Sequence, residues 1–544
     1  MDYIDPTGLE AAIKAVDAVV LTKKPLSISD LPNEVLDKIM LQVSRQAHKS
    51  DGTDPSLDVS SAVTNDLKNV RLSCKALDAA ASRYLIKRVK VHVSQGSLAH
   101  LEEICEHPLF SKGVRIIHIC LAQYDDFFDD GIKGFTRFTR DRLPYLRLPL
   151  TEATSTDEMR MWVARCWSTY ATMLESESED LLGTFDDEFK TYQDFKHMWD
   201  IGYNGLLLEG YHLYRSRLRE QTSLQQDDFV ARVSAALAKL PFAEHLQITD
   251  WDTTAWGHQP GAFGYPMFGL DLSSSKSIIA SLAESRYQFE NVQGTSLLPM
   301  IPRLICAFKN LKSLDIQISP SVAAYAQLRF SPAQEAHLRS SLKDLHSFKF
   351  DNYRFRTTNP WNELLAARPL GHFLDACLVS DKLEHLFINA KIRHPYPTRS
   401  LFSLRPWPKL QSAVLESLPV SAADLDMLTE SLAFKETKGS LTLRYVNVYC
   451  GGTWANILDI LRNRYINVDL GDSQRGAEFE TDPALCDLVF EHNREQSTGF
   501  YVSFAEFYVR GVDMANPLVE TPDESLRDRL FGYLGPVHEE EGIQ

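Results

Sequence analysis

The residues that look most like a reactive site are the carboxylates of Tyr124–Gly131, which read YDDFFDDG. Alternating carboxylates ahead of a glycine are typical of a calcium-binding loop, which ends on a bidentate glutamate at its twelfth position. When Gly131 is aligned with the glycine of such a loop, Phe128 falls at a ligand position and Arg137 falls where the glutamate belongs. We therefore interpret the segment as a solvated acidic turn.

The other candidate groups for catalysis spell no reactive motif. The 16 histidines include no HExxH pair, and the eight cysteines include no CxxC pair, so no local zinc or dithiol centre is indicated. GxSxG, Walker A and GxGxxG patterns are absent, and the YCGGTW turn lacks the Lys-Ser/Thr of a phosphate-binding loop. The sequence predicts a protein that is not an enzyme and that uses no cofactor or metal. A catalytic site assembled from distant residues stays open as an alternative.

Composition narrows the classes of partner. The chain has 544 residues, 44% of them hydrophobic, and a formal charge of -16. An acidic chain without a dense basic run is a poor ligand for phosphate backbones, so no nucleic-acid partner is expected. A stretch of about 20 apolar residues and a secretory signal are both missing from the sequence, which predicts no membrane partner. Scattered cysteines favour a reducing compartment, so the predicted location is the cytoplasm, the nucleus or both.

The chemistry therefore points to binding, and two N-terminal segments have the pattern of partner-binding helices. Residues 1–24 are predicted to form a short amphipathic helix. In SDLPNEVLDKIMLQV, Pro32 falls in the first helical turn, where its missing N–H costs nothing, and Ser29 and Asp30 are placed to cap the helix. The apolar residues of this second helix share one face: Leu31, Val35, Leu36, Ile39, Met40 and Val43.

A third helix is predicted after a polar loop over Ser44–Thr64. The segment NDLKNVRLSCKALDAAASRYLIKRV is predicted to be one continuous helix over residues 65–89. Its apolar residues lie three or four positions apart and so share one face: Leu67, Val70, Cys74, Leu77, Ala81 and Leu85. Alternating apolar residues in VKVHVS then predict a strand over Val89–Ser94.

Most of the remaining chain consists of weakly similar units. LKSLDIQI, LHSFKF and LEHLFI place apolar residues as L-x-x-L-x-L, and VRIIHIC and HLQIT are similar short strands. The centre residues Leu314, Phe348 and Leu386 lie 34 and then 38 residues apart, with helix-compatible stretches between them. A repeated strand and helix is typical of a solenoid in which each unit completes the core of its neighbour. LQSAVL and SLTLRYVNV continue the series less faithfully.

Residues 26–90 resemble an F-box, the helical module that docks on the Skp-family adaptor of cullin–RING ubiquitin ligases. The matching features are LPNEVLDKIM, the polar connection, and LKNVRLSCKALDAAASRYL. The later HPLFSKGVRIIHI and the units after it resemble the layout of fungal F-box proteins. The resemblance implies an α/β fold in which an F-box-like helical domain at 25–95 precedes an irregular leucine-rich-repeat-like solenoid. That solenoid would cover 96–536, with a helical insertion at 130–240 and an acidic tail at 537–544.

By position, the resemblance also implies which residues face the adaptor. These are Leu31, Pro32, Val35, Leu36 and Ile39 from the second predicted helix, and Leu67, Val70 and Cys74 from the third. The implied function is a substrate receptor that binds the adaptor through the helices and a target protein through the solenoid. The alternative is an interaction scaffold in which the helical hairpin is only structural.

Overall fold

A computed structural model gives the structure of the protein. It describes residues 31–32, 35–36, 38–40, 61–121, 131–132, 134–135, 203–250, 297–318, 325, 327–352, 360–391, 407–433, 439–448, 452–464, 467–471, 474–480, 483–490, 493–494, 501–512 and 514–520. The helix predicted for residues 1–24, the acidic segment 124–130 and the tail 537–544 lie outside these ranges.

Two compact units make up the chain. The first consists of residues 1–89, 100–116 and 239–242, and the second of residues 90–99, 117–238 and 243–544.

The described residues form a mixed α/β fold. Its helices are α1 (Ser61–Ser73), α2 (Lys75–Leu85), α3 (Gln95–Glu106), α4 (Tyr203–Ser223), α5 (Gln226–Leu237), α6 (Met300–Cys306), α7 (Pro332–Ser341), α8 (Pro360–Cys377), α9 (Ala422–Ala433), α10 (Trp454–Arg464), α11 (Pro483–Phe490) and α12 (Phe504–Val509). Its strands are β1 (Arg88–His92), β2 (Ile116–Cys120), β3 (His245–Thr249), β4 (Ser313–Ile318), β5 (Ser347–Asn352), β6 (His385–Asn389), β7 (Ser412–Glu416), β8 (Pro419–Val420), β9 (Ser440–Arg444), β10 (Asn447–Val448), β11 (Asn467–Leu470), β12 (Arg475–Gly476), β13 (Asn493–Arg494) and β14 (Tyr501–Val502).

A nine-stranded sheet holds the strands of the predicted series. Its order, β1-β2-β3-β4-β5-β6-β7-β9-β11, follows the chain, and each pair from β3 to β11 is parallel. Parallel neighbours need a crossover, and helices supply most of these connections. Connecting helices also lie side by side, as α6 does against α5 and α7. The strands predicted at VRIIHIC, HLQIT and the three L-x-x-L-x-L segments are confirmed as β2 to β6.

Two rows of buried apolar residues run across seven strands of this sheet. Residues that pair in register form the rows, and every member is at most 5% exposed. The first row is Leu246, Leu314, Phe348, Leu386, Ala413, Leu441 and Val468, and the second is Ile248, Ile316, Phe350, Ile388, Leu415, Leu443 and Leu470. The predicted equivalence of Leu314, Phe348 and Leu386 is therefore confirmed to the residue.

The same backbone hydrogen bonds join successive units. At β2, β4, β5, β6 and β7, the last residue before the strand and the strand's first residue both donate to one carbonyl of the unit before. Lys312 and Ser313 donate to the Glu244 carbonyl over 2.8 and 3.1 Å, and His346 and Ser347 donate to the Lys312 carbonyl over 2.8 and 3.0 Å. This recurrence shows that the units are structurally equivalent at the points where the strands begin.

The last units are the most regular, although their sequences follow the pattern less faithfully. Ser412, Ser440 and Asn467 pair in register at spacings of 28 and 27 residues. After β7, β9 and β11, the short strands β8, β10 and β12 form a second parallel sheet. LQSAVL and SLTLRYVNV therefore do continue the series, as β7, β9 and β10.

The predicted continuous helix over residues 65–89 is wrong. Cys74 is extended, with φ -163° and ψ 163°, and divides the segment into α1 and α2. The break allows α2 to fold back against α1, so that both helices bury apolar side chains in one small core. The predicted loop over Ser44–Thr64 is also too long, because α1 begins at Ser61.

The predicted helical insertion is represented in the described ranges by α4 and α5. Among the described residues, no helix combines the length and the apolar character needed to cross a membrane.

Candidate functional site

The resemblance directs attention to a cluster of helices with its own core. Its buried side chains come from the helical residues 35–36 and 38–40 and from α1 and α2: Leu36, Met40, Leu67, Leu77, Ala80 and Ala81. Leu31, Ile39, Val70, Cys74, Ala76, Tyr84 and Leu85 pack around them and are partly buried. We call the described residues between 31 and 40, together with α1 and α2, the helical cluster. It is a folded module in which α1 and α2 share one interior.

The predicted adaptor-facing residues fall into three groups. Leu36 and Leu67 are 0% and 1% exposed, so the structure places them inside the cluster and not on a surface. Leu31, Ile39, Val70 and Cys74 are half-buried at its margin. Pro32 is exposed, and Val35 is 40% exposed. The helical period that puts these residues on one face also makes some of them core.

Sequence reasoning missed the most exposed leucine of this cluster. Leu72, on α1, is 86% exposed, whereas Leu67 on the same helix is buried. Leu72 lies five residues after Leu67 and two after Val70, so it falls outside the spacing of the apolar face. That break in the spacing, a leucine between Arg71 and Ser73, is the signal that could have found it. A single exposed leucine is common on protein surfaces, so Leu72 is of interest because it lies on α1 of the helical cluster.

An ion pair bridges the two helices across the break at Cys74. The Nε of Arg71 on α1 donates to Oδ1 of Asp78 on α2 over 2.7 Å, and the Ser82 hydroxyl donates to the same oxygen over 3.0 Å. The hydrogen bond from Arg71 and, to a smaller extent, the hydrogen bond from Ser82 hold the pKa of Asp78 below its ordinary value. The Arg71 guanidinium also lies 5.4 Å from the centre of the Phe110 ring. Arg71 thus ties α1 to α2 and to the segment after α3.

The segment after α3 is folded tightly against the end of α2. His107 stacks on Phe110 with ring centres 3.9 Å apart, and its Nδ1 accepts the Leu109 and Phe110 amides over 3.3 Å. A Cβ on Gly113 would lie 2.0 Å from the Arg83 carbonyl oxygen, so only glycine permits this approach. The helical cluster is therefore braced from outside its own core.

A second candidate surface is the face of the sheet opposite the apolar rows. Its polar side chains bond between neighbouring strands and within them. Asn389 donates to Asp351 over 3.0 Å, Gln317 donates to Asp315 over 2.8 and 3.0 Å, and Arg444 donates to Asp469 over 3.1 Å. Because side chains alternate across a strand, the apolar rows leave every second position for such groups. On this polar face, Gln317, Asp351 and Asn389 are at most 5% exposed, whereas the side chains of Arg444 and Asp469 are 50% and 47% exposed. Of these groups, the charged pair of Arg444 and Asp469 is therefore accessible to a ligand.

Two buried thiols, those of Cys105 and Cys377, are not poised to react. Burial raises the pKa of Cys105 to about 11 and that of Cys377 well above its ordinary value. Since the thiolate is the nucleophile, both side chains stay protonated and unreactive near neutral pH. Among the described residues, no three histidine, cysteine or carboxylate side chains are grouped to hold a metal ion.

Comparison with known proteins identifies no family for the chain. No protein-family model matches the chain, and no curated protein is significantly similar to it.

Proposed function

We propose that the protein is a substrate-recognition subunit of a Skp–cullin–F-box type ubiquitin ligase. The helical cluster is an F-box-like module that binds the Skp-family adaptor. The array of strands and helices is a divergent leucine-rich-repeat-like solenoid that binds a target protein. The protein acts in the cytoplasm or the nucleus and catalyses nothing itself; it raises the effective concentration of its target near the ubiquitin-loaded partner.

The observation that carries this proposal is that the helical cluster has both buried and exposed apolar residues. The cluster has a core of its own in Leu36, Leu67 and Ala81, so the residues outside that core are available for binding. Val35 and Leu72 are exposed and apolar, and Pro32, three residues before Val35 in the motif, is also exposed. A few central apolar residues supply most of the affinity of such helix-mediated docking.

The sheet supports the second half of the proposal. Its strands follow the chain order with matched register, as repeated units stacked on one another do. On the polar face, β9 and β11 expose the charged groups of Arg444 and Asp469 on a rigid backbone, which suits contact with a protein ligand.

The test is co-purification of the full-length chain with a recombinant Skp-family adaptor. We expect a stable complex that elutes ahead of either component in size-exclusion chromatography. A folded chain that elutes separately from the adaptor at all mixing ratios would overturn the proposal.

The burial of Leu36 and Leu67 favours a second candidate, in which the protein is an interaction scaffold. In that case the LPNEVLDKIM motif matches an F-box only because both need the same helix core, and no adaptor binds. The two candidates differ at Leu72, which is 86% exposed and contributes little to the core. Only the receptor predicts that replacing Leu72 weakens binding of the adaptor.

A further inference from the structure

The last strand of the nine-stranded sheet has one edge that no strand covers among the described residues. Strand β11 pairs with β9 through the Asn467 amide, which donates to the Gly439 carbonyl over 3.0 Å, and the Gly471 amide, which donates to the Leu443 carbonyl over 2.9 Å. Amides along a strand alternate in direction. The Val468 and Leu470 amides therefore point to the outer edge, where a further strand would pair.

A carboxylate occupies the place of that further strand. Glu506, on α12, is 3% exposed, and its Oε1 accepts the Leu470 amide over 3.0 Å. Its Oε2 accepts the Ser503 amide over 3.2 Å, while the Ser503 hydroxyl accepts the Glu506 amide over 3.3 Å. The second pair of bonds is a capping box that begins α12. One side chain thus caps both the helix and the edge of the sheet.

Further contacts fasten α12 and the segment after it to α10. The Tyr508 hydroxyl donates to Asp459 on α10 over 2.6 Å, and the Arg462 guanidinium lies 4.3 Å from the centre of the Tyr508 ring. Asn516 donates to Asp459 over 2.8 Å and to the Ala455 carbonyl over 2.9 Å. These contacts keep Glu506 in position against β11.

The repeat of parallel strands ends at β11, whose outer edge is bonded by Glu506 of α12. Ser440 and Asn467 begin successive strands 27 residues apart, so the same spacing places the next strand at residue 494 (467 + 27). A strand does lie there, but β13 pairs antiparallel with β14 and not with β11. The chain therefore departs from the repeat at the point where another unit would extend the sheet.

We propose that α12 is an edge cap, and that Glu506 prevents β11 from pairing with the β11 of a second copy of this chain. An uncovered strand edge is a template for pairing, and native proteins protect such edges. Two copies related by a two-fold axis would join their β11 edges antiparallel, each Leu470 amide bonding to the partner strand in place of Glu506. The cap explains why a buried carboxylate is kept at the end of an apolar array. This inference is independent of the proposed ligase function.

Sedimentation velocity of the full chain over a wide concentration range tests the cap. We expect Glu506→Ala to sediment with twice the monomer mass as the concentration rises, while the wild type keeps its monomer mass. Glu520→Ala is the matched control, because Glu520 is an exposed glutamate beyond α12 and should behave as the wild type. Hydrogen exchange should show the Leu470 amide unprotected in dilute Glu506→Ala and protected again in the dimer.

The proposal is overturned if folded Glu506→Ala stays monomeric at every concentration. If that variant does not fold, Glu506→Gln serves instead, because the amide keeps the volume and one acceptor oxygen. We expect weaker but concentration-dependent dimerisation of Glu506→Gln, with faster exchange of the Leu470 amide. A monomeric Glu506→Gln in which Leu470 exchanges as in the wild type would equally overturn the cap.

Discussion

The helical cluster and the nine-stranded sheet differ in how their buried residues are distributed along the sequence. In the sheet, the same two alternate positions of each strand are buried, because two rows of in-register residues run across seven strands. In the cluster, residues of one short motif divide between core and surface, with Leu36 buried and Val35 beside it exposed. The repeated architecture thus buries the same strand positions in every unit, whereas the small module divides neighbouring residues of one motif between core and surface.

The largest expected effect is a loss of stability caused by a substitution in the apolar rows of the sheet. Phe350 lies in the second apolar row and is 0% exposed, so Phe350→Ala should lower the free energy of unfolding by about 3–5 kcal/mol. Chemical denaturation measures this loss. The control Val519→Ala, at a residue 76% exposed, should change stability by less than about 0.5 kcal/mol. A loss no larger for Phe350→Ala than for the control would show that the rows are not the core.

A somewhat smaller effect is expected on the helical side. Leu36→Ala removes a fully buried side chain from the cluster and should destabilise it by roughly 2–5 kcal/mol. Because the cluster has its own core, hydrogen exchange should accelerate in α1 and α2 while β4 to β6 stay protected. Equal loss of protection in those strands would contradict the separation of the two cores.

The smallest effect concerns the ion pair across the break at Cys74. The pKa of Asp78 is lowered in the folded chain, so its carboxylate stabilises the fold above the ordinary value of 3.8. That contribution is lost as the pH falls below 3.8 through the folded-state pKa. Asp78→Asn should therefore narrow the stability difference between neutral pH and this acidic range. Urea titrations of the two proteins at both pH values measure the change, and an unchanged difference would exclude a role for the pair.

The same contrast explains what could be predicted from the sequence. β3 was predicted to the residue, and the equivalence of Leu314, Phe348 and Leu386 was predicted correctly, because each unit repeats one local pattern with one outcome. The break at Cys74 could not be predicted, because Leu67, Val70 and Leu77 fit a continuous helix equally well. The fold-back is decided by tertiary packing, which periodicity does not report.

The candidate site was predicted only in part, for a related reason. Spacing assigns a residue to a face but does not say whether that face meets the cluster's own core or a partner. Leu36 and Val35 are adjacent in the motif, yet only the packing of α1 and α2 buries the former. Leu72 was missed because it lies off the periodic face, and Glu506 was missed because its role depends on a strand about 36 residues earlier.

The most direct test of the account is a calorimetric titration of a Skp-family adaptor with the full chain and two exposed-site variants. Leu72→Glu puts a charge on the helical cluster at little cost in stability, and Val519→Glu makes the same kind of change on an exposed aliphatic residue of the other unit. We predict that Leu72→Glu weakens adaptor binding at least about tenfold, or about 1.4 kcal/mol, while Val519→Glu binds as the wild type does. Equal affinities of the wild type and both variants would contradict the role of Leu72. Failure of the wild type to bind would contradict the receptor itself.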